Sequence, residues 1–344
     1  MGAAGGMRVL QIDGGFGVER LGFAERPEPV PGPGEVLVRI RAVTLNFRDL
    51  LLVQGSYNPK QALPVIPASD AAGEVAAIGP GVTRVKPGDR VLNAFLPSWI
   101  AGPPRAAKMS GGLGGPNDGV LAEYRLFHES ALIRTPDTLS DAEAAALPCA
   151  GITAWSALIT LGRTRPGDVV LVQGTGGVAL FALQFAKLAG ATVILTSSSD
   201  EKLERARALG ADHGINYRTE PQWGKAAIAL AGPDRIDHVV ELGGADTLEQ
   251  SIRAVRIGGM ISLIGVLGGP KPALNLPLVV MRQVRLQGVT VGSREDTEDM
   301  IRGIEAAGIR PVLDDRRFSF AEAPQAFAHM QSGGHFGKIA ITFD

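Results

Sequence analysis

The spacing of apolar side chains changes part-way along this chain, and the change divides it. Between residues 7 and 137, segments such as Glu35-Val36-Leu37-Val38-Arg39-Ile40-Arg41-Ala42-Val43 alternate apolar with polar positions, as half-buried strands do. Turn signals surround them at Pro31-Gly32-Pro33-Gly34, Gly79-Pro80-Gly81 and Lys86-Pro87-Gly88-Asp89, each followed by a β-branched stretch. The expectation is a compact, β-rich, barrel-like domain over 1–137, with Met7-Arg8-Val9-Leu10 as its first strand.

From 138 to 286 the strands become continuous apolar runs, at 168–173, 192–197, 213–217, 236–241, 260–266 and 284–291. Helical segments such as Val178–Leu188, Glu201–Leu209 and Thr247–Val255 lie between them. Strands apolar on both faces, alternating with helices, predict a doubly wound parallel sheet. Residues 294–307 read as a helix, and Gly337–Phe343 alternates again, so 287–344 is expected to return to the first domain. The Gly- and Pro-rich stretches 97–119 and 268–277 read as loops. The fold class is α/β, a β-rich domain plus a doubly wound one, with no internal repeat and no heptads.

The first strand of the parallel region runs straight into Gly174-Thr175-Gly176-Gly177-Val178-Ala179 and then a helix. Strand, glycine turn and helix together form a dinucleotide site: Gly174 for the reversal, Gly176 for approach to the pyrophosphate, Ala179 for close packing, and a helix N-terminus for the phosphates. About 20 residues on, where an acid would read the ribose 2′-OH of NAD, the chain has Ser197, Ser198 and Ser199, with Lys202 following. Hydroxyls tolerate a 2′-phosphate that a carboxylate repels, so NADPH is expected over NADH. Tyr217 ends the third strand, where it would stack on adenine or bond the phosphate. The plainer alternative is that Ser199 or Asp200 caps the next helix and Lys202 is solvated. Gly243, Gly265, Val266 and Ser293 end strands at the carboxyl edge, where doubly wound folds bind ligands.

Composition narrows the classes. A net charge of −1 without a basic tract argues against nucleic acid as a partner. No window approaches the ~20 apolar residues of a membrane span, and the start lacks a signal peptide's regions, so cytoplasm is the expected location. Cys149 is the only cysteine, which excludes an intrachain disulfide and a cysteine-rich zinc site. His128, His213, His238 and His335 have no metal-type spacing.

Five segments carry a family resemblance: Pro31-Gly32-Pro33-Gly34-Glu35-Val36; Leu45-Asn46-Phe47-Arg48-Asp49; the run from Gly79 to Val91; Ala150-Gly151-Ile152-Thr153-Ala154-Trp155; and the cofactor turn. In this order they resemble the medium-chain dehydrogenase/reductase superfamily, in its zinc-independent quinone oxidoreductase-like branch. The resemblance implies a GroES-like catalytic domain interrupted by a Rossmann domain, an active site between them, and a homodimer formed by pairing of the Arg285–Val291 strand. It also implies that zinc-dependent relatives place ligands at the positions of Asn46, Ser69-Asp70 and Cys149. Catalytic zinc needs three protein ligands, and Asn46 and Ser69 are poor ones, so no metal is expected.

Without zinc, hydride transfer depends on holding nicotinamide and acceptor ~3–3.5 Å apart. A quinone or enone delocalises the incoming charge, whereas a simple ketone or alcohol needs a stronger acid or a metal. By resemblance, Asn46 and Tyr57 line the active site, as donors to the acceptor oxygen or nicotinamide ribose. Thr153 touches the nicotinamide, and Phe336, Gly337 and Lys338 reach back over the cofactor. Ser69 with Asp70 forms a candidate acid/base relay, while Asp49 orients the backbone or pairs with an arginine. The plainer alternatives are Asn46 as a turn cap and Tyr57 as a packed loop edge. The expected activity is NADPH-dependent reduction of a quinone, an enone or a similar conjugated carbonyl. The alternatives are a zinc-free alcohol dehydrogenase or carbonyl reductase, and a cofactor-binding protein with negligible turnover.

Overall fold

A computed structural model describes residues 6–271 and 273–343. Strands β1 (Gly6–Ile12), β2 (Leu21–Pro27), β3 (Glu35–Thr44), β4 (Asp70–Ile78), β5 (Arg90–Asn93), β6 (Tyr124–His128) and β7 (Leu132–Arg134) come first. Then follow β8 (Val169–Gln173), β9 (Thr192–Ser197), β10 (His213–Asn216), β11 (Ile236–Glu241), β12 (Val255–Leu263) and β13 (Arg285–Gly288). The chain closes with β14 (Leu313–Ser319) and β15 (Lys338–Thr342).

Two compact units form: Met1–Ile152 with Gly292–Asp344, and Thr153–Val291. The first unit runs past the 137/138 boundary expected from the change in period, because the next segment is tied to its sheet. Arg90 pairs with Asp141 at 2.7 Å and donates to Leu139 C=O at 2.8 Å, and Thr44 Oγ1 donates to Ala145 C=O at 2.8 Å. Its second part starts at Gly292 rather than 287, since β13 pairs with β12.

In the first unit β1 pairs with β2, and a larger sheet runs β14-β15-β3-β4-β5-β7. Strand β3 keeps β4 along one edge, while its other edge takes β6 at Glu35–Arg39 and β15 at Ala42–Thr44. Two register shifts against β4 bend it. The end of β3 at Thr44 lies opposite Asp70 at the start of β4, and Lys338 opens the β15 strand beside it. That topology gathers the residues described below.

The second unit is a parallel sheet in the order β10-β9-β8-β11-β12-β13, the arrangement of a doubly wound domain. Every residue of β8 is buried, which is why the strand reads as one apolar run. Helices Gly177–Leu188, Asp200–Ala208 and Leu248–Ala254 fall where the pattern placed them. Trp223–Ala231 and Ala323–Ser332 are further helices that the period did not reveal.

One expectation needs correcting. Asp141–Leu161 is a continuous helix of 21 residues containing an 18-residue window of mean hydropathy 1.6, enough in length and composition to cross a membrane. With 72% of that window buried inside the protein, it has the surroundings of a core helix. Pro148 and Gly151 disguise it in the sequence; a π-helical turn at Leu147–Gly151 contains both.

His238 in β11 is 3% exposed, with Nε2 2.8 Å from Ser262 Oγ. Burial first, and Arg285 second, pull its pKa from 6.5 to about 4. The unfolded chain therefore binds the extra proton sooner, and stability is lost as pH falls from 6.5 through 4. The loss is about 3 kcal/mol. Urea unfolding of wild type against His238→Gln should show a constant difference above pH 7 and wild type losing about 3 kcal/mol relative to the variant by pH 4. A difference that stays flat across that range contradicts this assignment.

Candidate active site and cofactor turn

In the second unit, β8 ends at Gln173 and Gly174 turns with φ +81, a conformation that side chains other than glycine strain to adopt. Gly176 is the N-cap of helix Gly177–Leu188 and supplies no side-chain cap, so its first N–H groups are left for another acceptor. A Cβ on Gly174 or Gly176 would meet nothing within 4 Å. The space a ligand's phosphates would need is thus open, and Thr175 is buried beside it. Ala179 is fully buried where the helix meets the sheet.

Strand β9 ends on Ser197, which is 2% exposed and accepts from Ser199 N–H at 3.4 Å. Ser199 Oγ in turn accepts from Lys202 N–H at 3.3 Å and caps helix Asp200–Ala208. The capping alternative therefore holds for Ser199, whereas Ser198 is half-buried and is no part of that cap. The Tyr217 ring is 43% exposed, and its N–H bonds Ser197 C=O at 3.0 Å.

The carboxyl edge contains an anchor that periodicity could not reveal. Glu241, at the end of β11, is fully buried, and its carboxylate accepts from Gln173 Nε2 at 2.8 Å, Gly243 N–H at 2.9 Å and Gly244 N–H at 3.0 Å. Ser251 and Thr247 hydroxyls donate to it as well. Gln173 Oε1 accepts from Leu242 and Gly243 N–H, each at 3.0 Å. Gly243 is thus held by two side chains, and Gly265 N–H bonds Glu241 C=O at 3.2 Å. Val266 is 51% exposed. Thr153 Oγ1 donates to Thr290 C=O at 3.0 Å.

Ser293, in the first unit, is the N-cap of helix Arg294–Ala307, and its hydroxyl is engaged with Asp296. Phe336 is buried, with its N–H on Asp314 Oδ2 at 2.8 Å.

Three catalytic candidates of the first unit, Asn46, Ser69 and Asp70, form one buried polar cluster with Asp49 and Lys338. Asp49, Ser69 and Asp70 are fully buried, Asn46 is 8% exposed and Lys338 3%. Asn46 precedes helix Phe47–Val53, and its N–H donates to Asp49 Oδ2 at 2.8 Å. Asn46 and Asp49 close a capping box at the helix start, so the cap alternative for Asn46 holds alongside its place in the cluster. Arg48 pairs with Asp49 at 3.0 Å, donates to Leu113 and Gly114 C=O at 2.9 and 2.8 Å, and lies 4.6 Å over the Tyr57 ring. Tyr57 itself is 49% exposed. Ser69 Oγ donates to Asp70 Oδ1 at 2.6 Å, and Cys149 N–H donates to Asp70 Oδ2 at 3.0 Å. Lys338 Nζ donates to Leu45 C=O at 2.9 Å and Asn46 Oδ1 at 2.5 Å, and lies 3.8 Å from Asp70 Oδ2. Asn46 Nδ2 has no hydrogen-bond partner among the described residues. Burial, then the negative charge of Asp70, pushes the Cys149 thiol far up, so it is no thiolate at neutral pH.

An open phosphate cradle on a 3-2-1-4-5-6 parallel sheet, with a buried polar cluster in a GroES-like unit, defines a dehydrogenase-type architecture. Family models agree along the chain: residues 32–137 match the alcohol dehydrogenase GroES-like domain, and 177–306 the zinc-binding dehydrogenase domain. A zinc-type alcohol dehydrogenase-like protein of Schizosaccharomyces pombe is 42% identical over 318 residues, 91% of this chain and 92% of its own. A chloroplastic quinone oxidoreductase of Triphysaria versicolor is 32% identical over 97% of this chain and 98% of its own. A solved structure from Sinorhizobium meliloti 1021, provisionally named an alcohol dehydrogenase, is 44% identical with a TM-score of 0.92, over 98% and 99% of the two chains. The chain belongs to the medium-chain dehydrogenase/reductase superfamily, and is an oxidoreductase of that kind.

Burial raises the Asp49 carboxyl from 3.8 to about 6, against the opposing pull of Arg48. The folded state keeps its proton longer than the unfolded chain, so this group's contribution to stability is lost as pH rises from 3.8 through 6. That loss is about 3 kcal/mol. Denaturant unfolding should show Asp49→Asn gaining about 2 kcal/mol on wild type between pH 4 and 7, whatever the offset from the weakened Arg48 pair. A gap that does not change with pH contradicts the placement.

Proposed function

We propose that the protein is a zinc-independent, NADPH-dependent reductase of a quinone, an enone or a similar conjugated carbonyl. The observation that carries this reading is the unpartnered, buried Asn46 Nδ2 beside a cluster with no metal-ligand set. Bound NADPH supplies the hydride; the chain's residues bind, orient and stabilise. For the cofactor, the positive φ of Gly174 and the open space at Gly176 fit a pyrophosphate on the helix N-terminus. The absence of a carboxylate at 197 to 199 fits a 2′-phosphate.

Asn46 Nδ2–H is assigned as donor to the acceptor oxygen, where negative charge collects as the conjugated system is reduced. The exposed Tyr57 hydroxyl is a second donor, its ring held under the Arg48 guanidinium. Ser69 and Asp70 are assigned to support rather than proton transfer. Both are fully buried, and the Asp70 oxygens already accept from Ser69 Oγ and Cys149 N–H.

Zinc does not fit this donor set. Of Asn46, Ser69, Asp70 and Cys149, only the last two are metal-ligand types, below the three that catalytic zinc requires. Among the described residues no group of three or more His, Cys, Asp or Glu could hold a metal ion. An ammonium also lies 3.8 Å from Asp70 Oδ2. For assembly we propose a homodimer through β13, an edge strand flanked by exposed Leu276, Val280 and Met281.

NADPH oxidation assayed with a quinone, an enal and a saturated ketone, with and without chelator, tests the reading. The conjugated acceptors should turn over at least roughly tenfold faster, the equivalent of about 1.4 kcal/mol, and chelator should change nothing. Turnover of the ketone alone overturns it. Ser197→Asp should move the NADPH:NADH preference toward NADH by roughly tenfold or more through repulsion of the 2′-phosphate. An unchanged ratio would show the phosphate is read elsewhere.

A further inference from the structure

Lys338 is the least expected member of the buried cluster. An ammonium 3% exposed needs oxygens around it, and the fold provides Leu45 C=O, Asn46 Oδ1 and, at 3.8 Å, Asp70 Oδ2. Its backbone is pinned as well. Gly337 has φ +79, a Cβ there would lie 2.4 Å from Val312 C=O, and Lys338 N–H bonds that carbonyl at 3.0 Å.

A side-chain amide can present either its oxygen or its NH₂, but Lys338 has donors only. Turning Asn46 over would set an NH₂ against an ammonium. The amide is therefore locked with Oδ1 on Lys338, and Nδ2 is left without a partner. Buried donors are ordinarily satisfied in native proteins; among the described residues of this cluster only Asn46 Nδ2 and Arg48 Nε are not, and the amide NH₂ is a place kept for an acceptor atom.

We propose that Lys338 is a positioning residue: it fixes Asn46 as a hydrogen-bond donor and so selects an oxygen that accepts, a carbonyl or quinone oxygen, over a hydroxyl that must surrender its proton. It also sets a tethered cation beside Asn46 and Asp70. Charge that a metal would deliver directly to the acceptor oxygen is here delivered through the Asn46 N–H. This selectivity rests on the function proposed above; the orientation of Asn46 does not.

A double-mutant cycle of Lys338→Met and Asn46→Ala tests it, with thermal unfolding recorded for each variant. Asn46→Ala should lower kcat for a conjugated acceptor about 100-fold. Lys338→Met should lower it roughly tenfold with KM for NADPH unchanged, and Lys338→Arg should recover part of the loss. In the Asn46→Ala background Lys338→Met should cost less than about twofold. Equal losses in both backgrounds overturn the proposal.

A second measurement needs no turnover. Equilibrium binding of a saturated ketone and its alcohol, with redox-inert tetrahydro-NADP present, should favour the ketone by roughly tenfold in wild type and lose that preference in Lys338→Met. The same ratio in both proteins overturns the proposal. Absence of quinone and enone turnover with the ketone preference intact would instead count against the function alone.

Discussion

The first unit carries two fully buried carboxylates, Asp49 and Asp70, and its active-site candidates are arranged around their compensation. An uncompensated charge at that depth costs several kcal/mol, so each is tied down. Asp49 takes the Asn46 N–H and the Arg48 guanidinium, and thereby fixes the start of the Phe47–Val53 helix. Asp70 takes Ser69, the Cys149 N–H and the nearby Lys338 ammonium. Asn46 is caught between the two systems, its backbone held by one and its amide oxygen by the other. What it has left is its Nδ2 group, without a partner among the described residues.

The second unit uses the same device for a different end. Glu241 is buried at the switch between β8 and β11, saturated by Gln173, Ser251, Thr247 and two backbone N–H groups. The result is a rigid turn after β11 next to the glycine turn after β8, with Gln173 bonded to both Glu241 and Gly243. A cofactor cradle of open backbone N–H groups gains specificity only if its walls do not move. A single saturated carboxylate supplies that rigidity by tying the loop after β11 to Gln173 on β8 and Ser251 in the helix Leu248–Ala254.

How much of this was legible in the sequence follows from the range of each interaction. The parallel strands and the cofactor turn were readable because their signals are local: an apolar run, a glycine turn, a helical period. The Ser293 cap was local too. Ser293-Arg294-Glu295-Asp296 is a cap followed three residues later by an acid. Lys338 and Asn46 are 292 residues apart, and Gln173 and Glu241 are 68 apart. No spacing rule reaches so far, and a lone polar residue ending an apolar run looks only like a strand boundary. The Asp141–Leu161 helix was hidden for the opposite reason: Pro148 and Gly151 are strong local breakers, overridden by tertiary contacts to Asp70 and Thr44.

Placed in its superfamily, the chain keeps the architecture, and the function proposed above has Lys338 as the cation of its buried cluster. The central claim is that hydride reaches the conjugated carbon of the acceptor with Asn46 polarising the oxygen and no metal taking part. The most direct measurement follows the label. Chelator-treated enzyme is given an enone and NADPH deuterated at nicotinamide C4, and the product is read by NMR. The account expects deuterium on the carbon β to an intact carbonyl. Deuterium on the carbinol carbon of an alcohol, or transfer that stops on metal removal and returns with Zn²⁺, would contradict it.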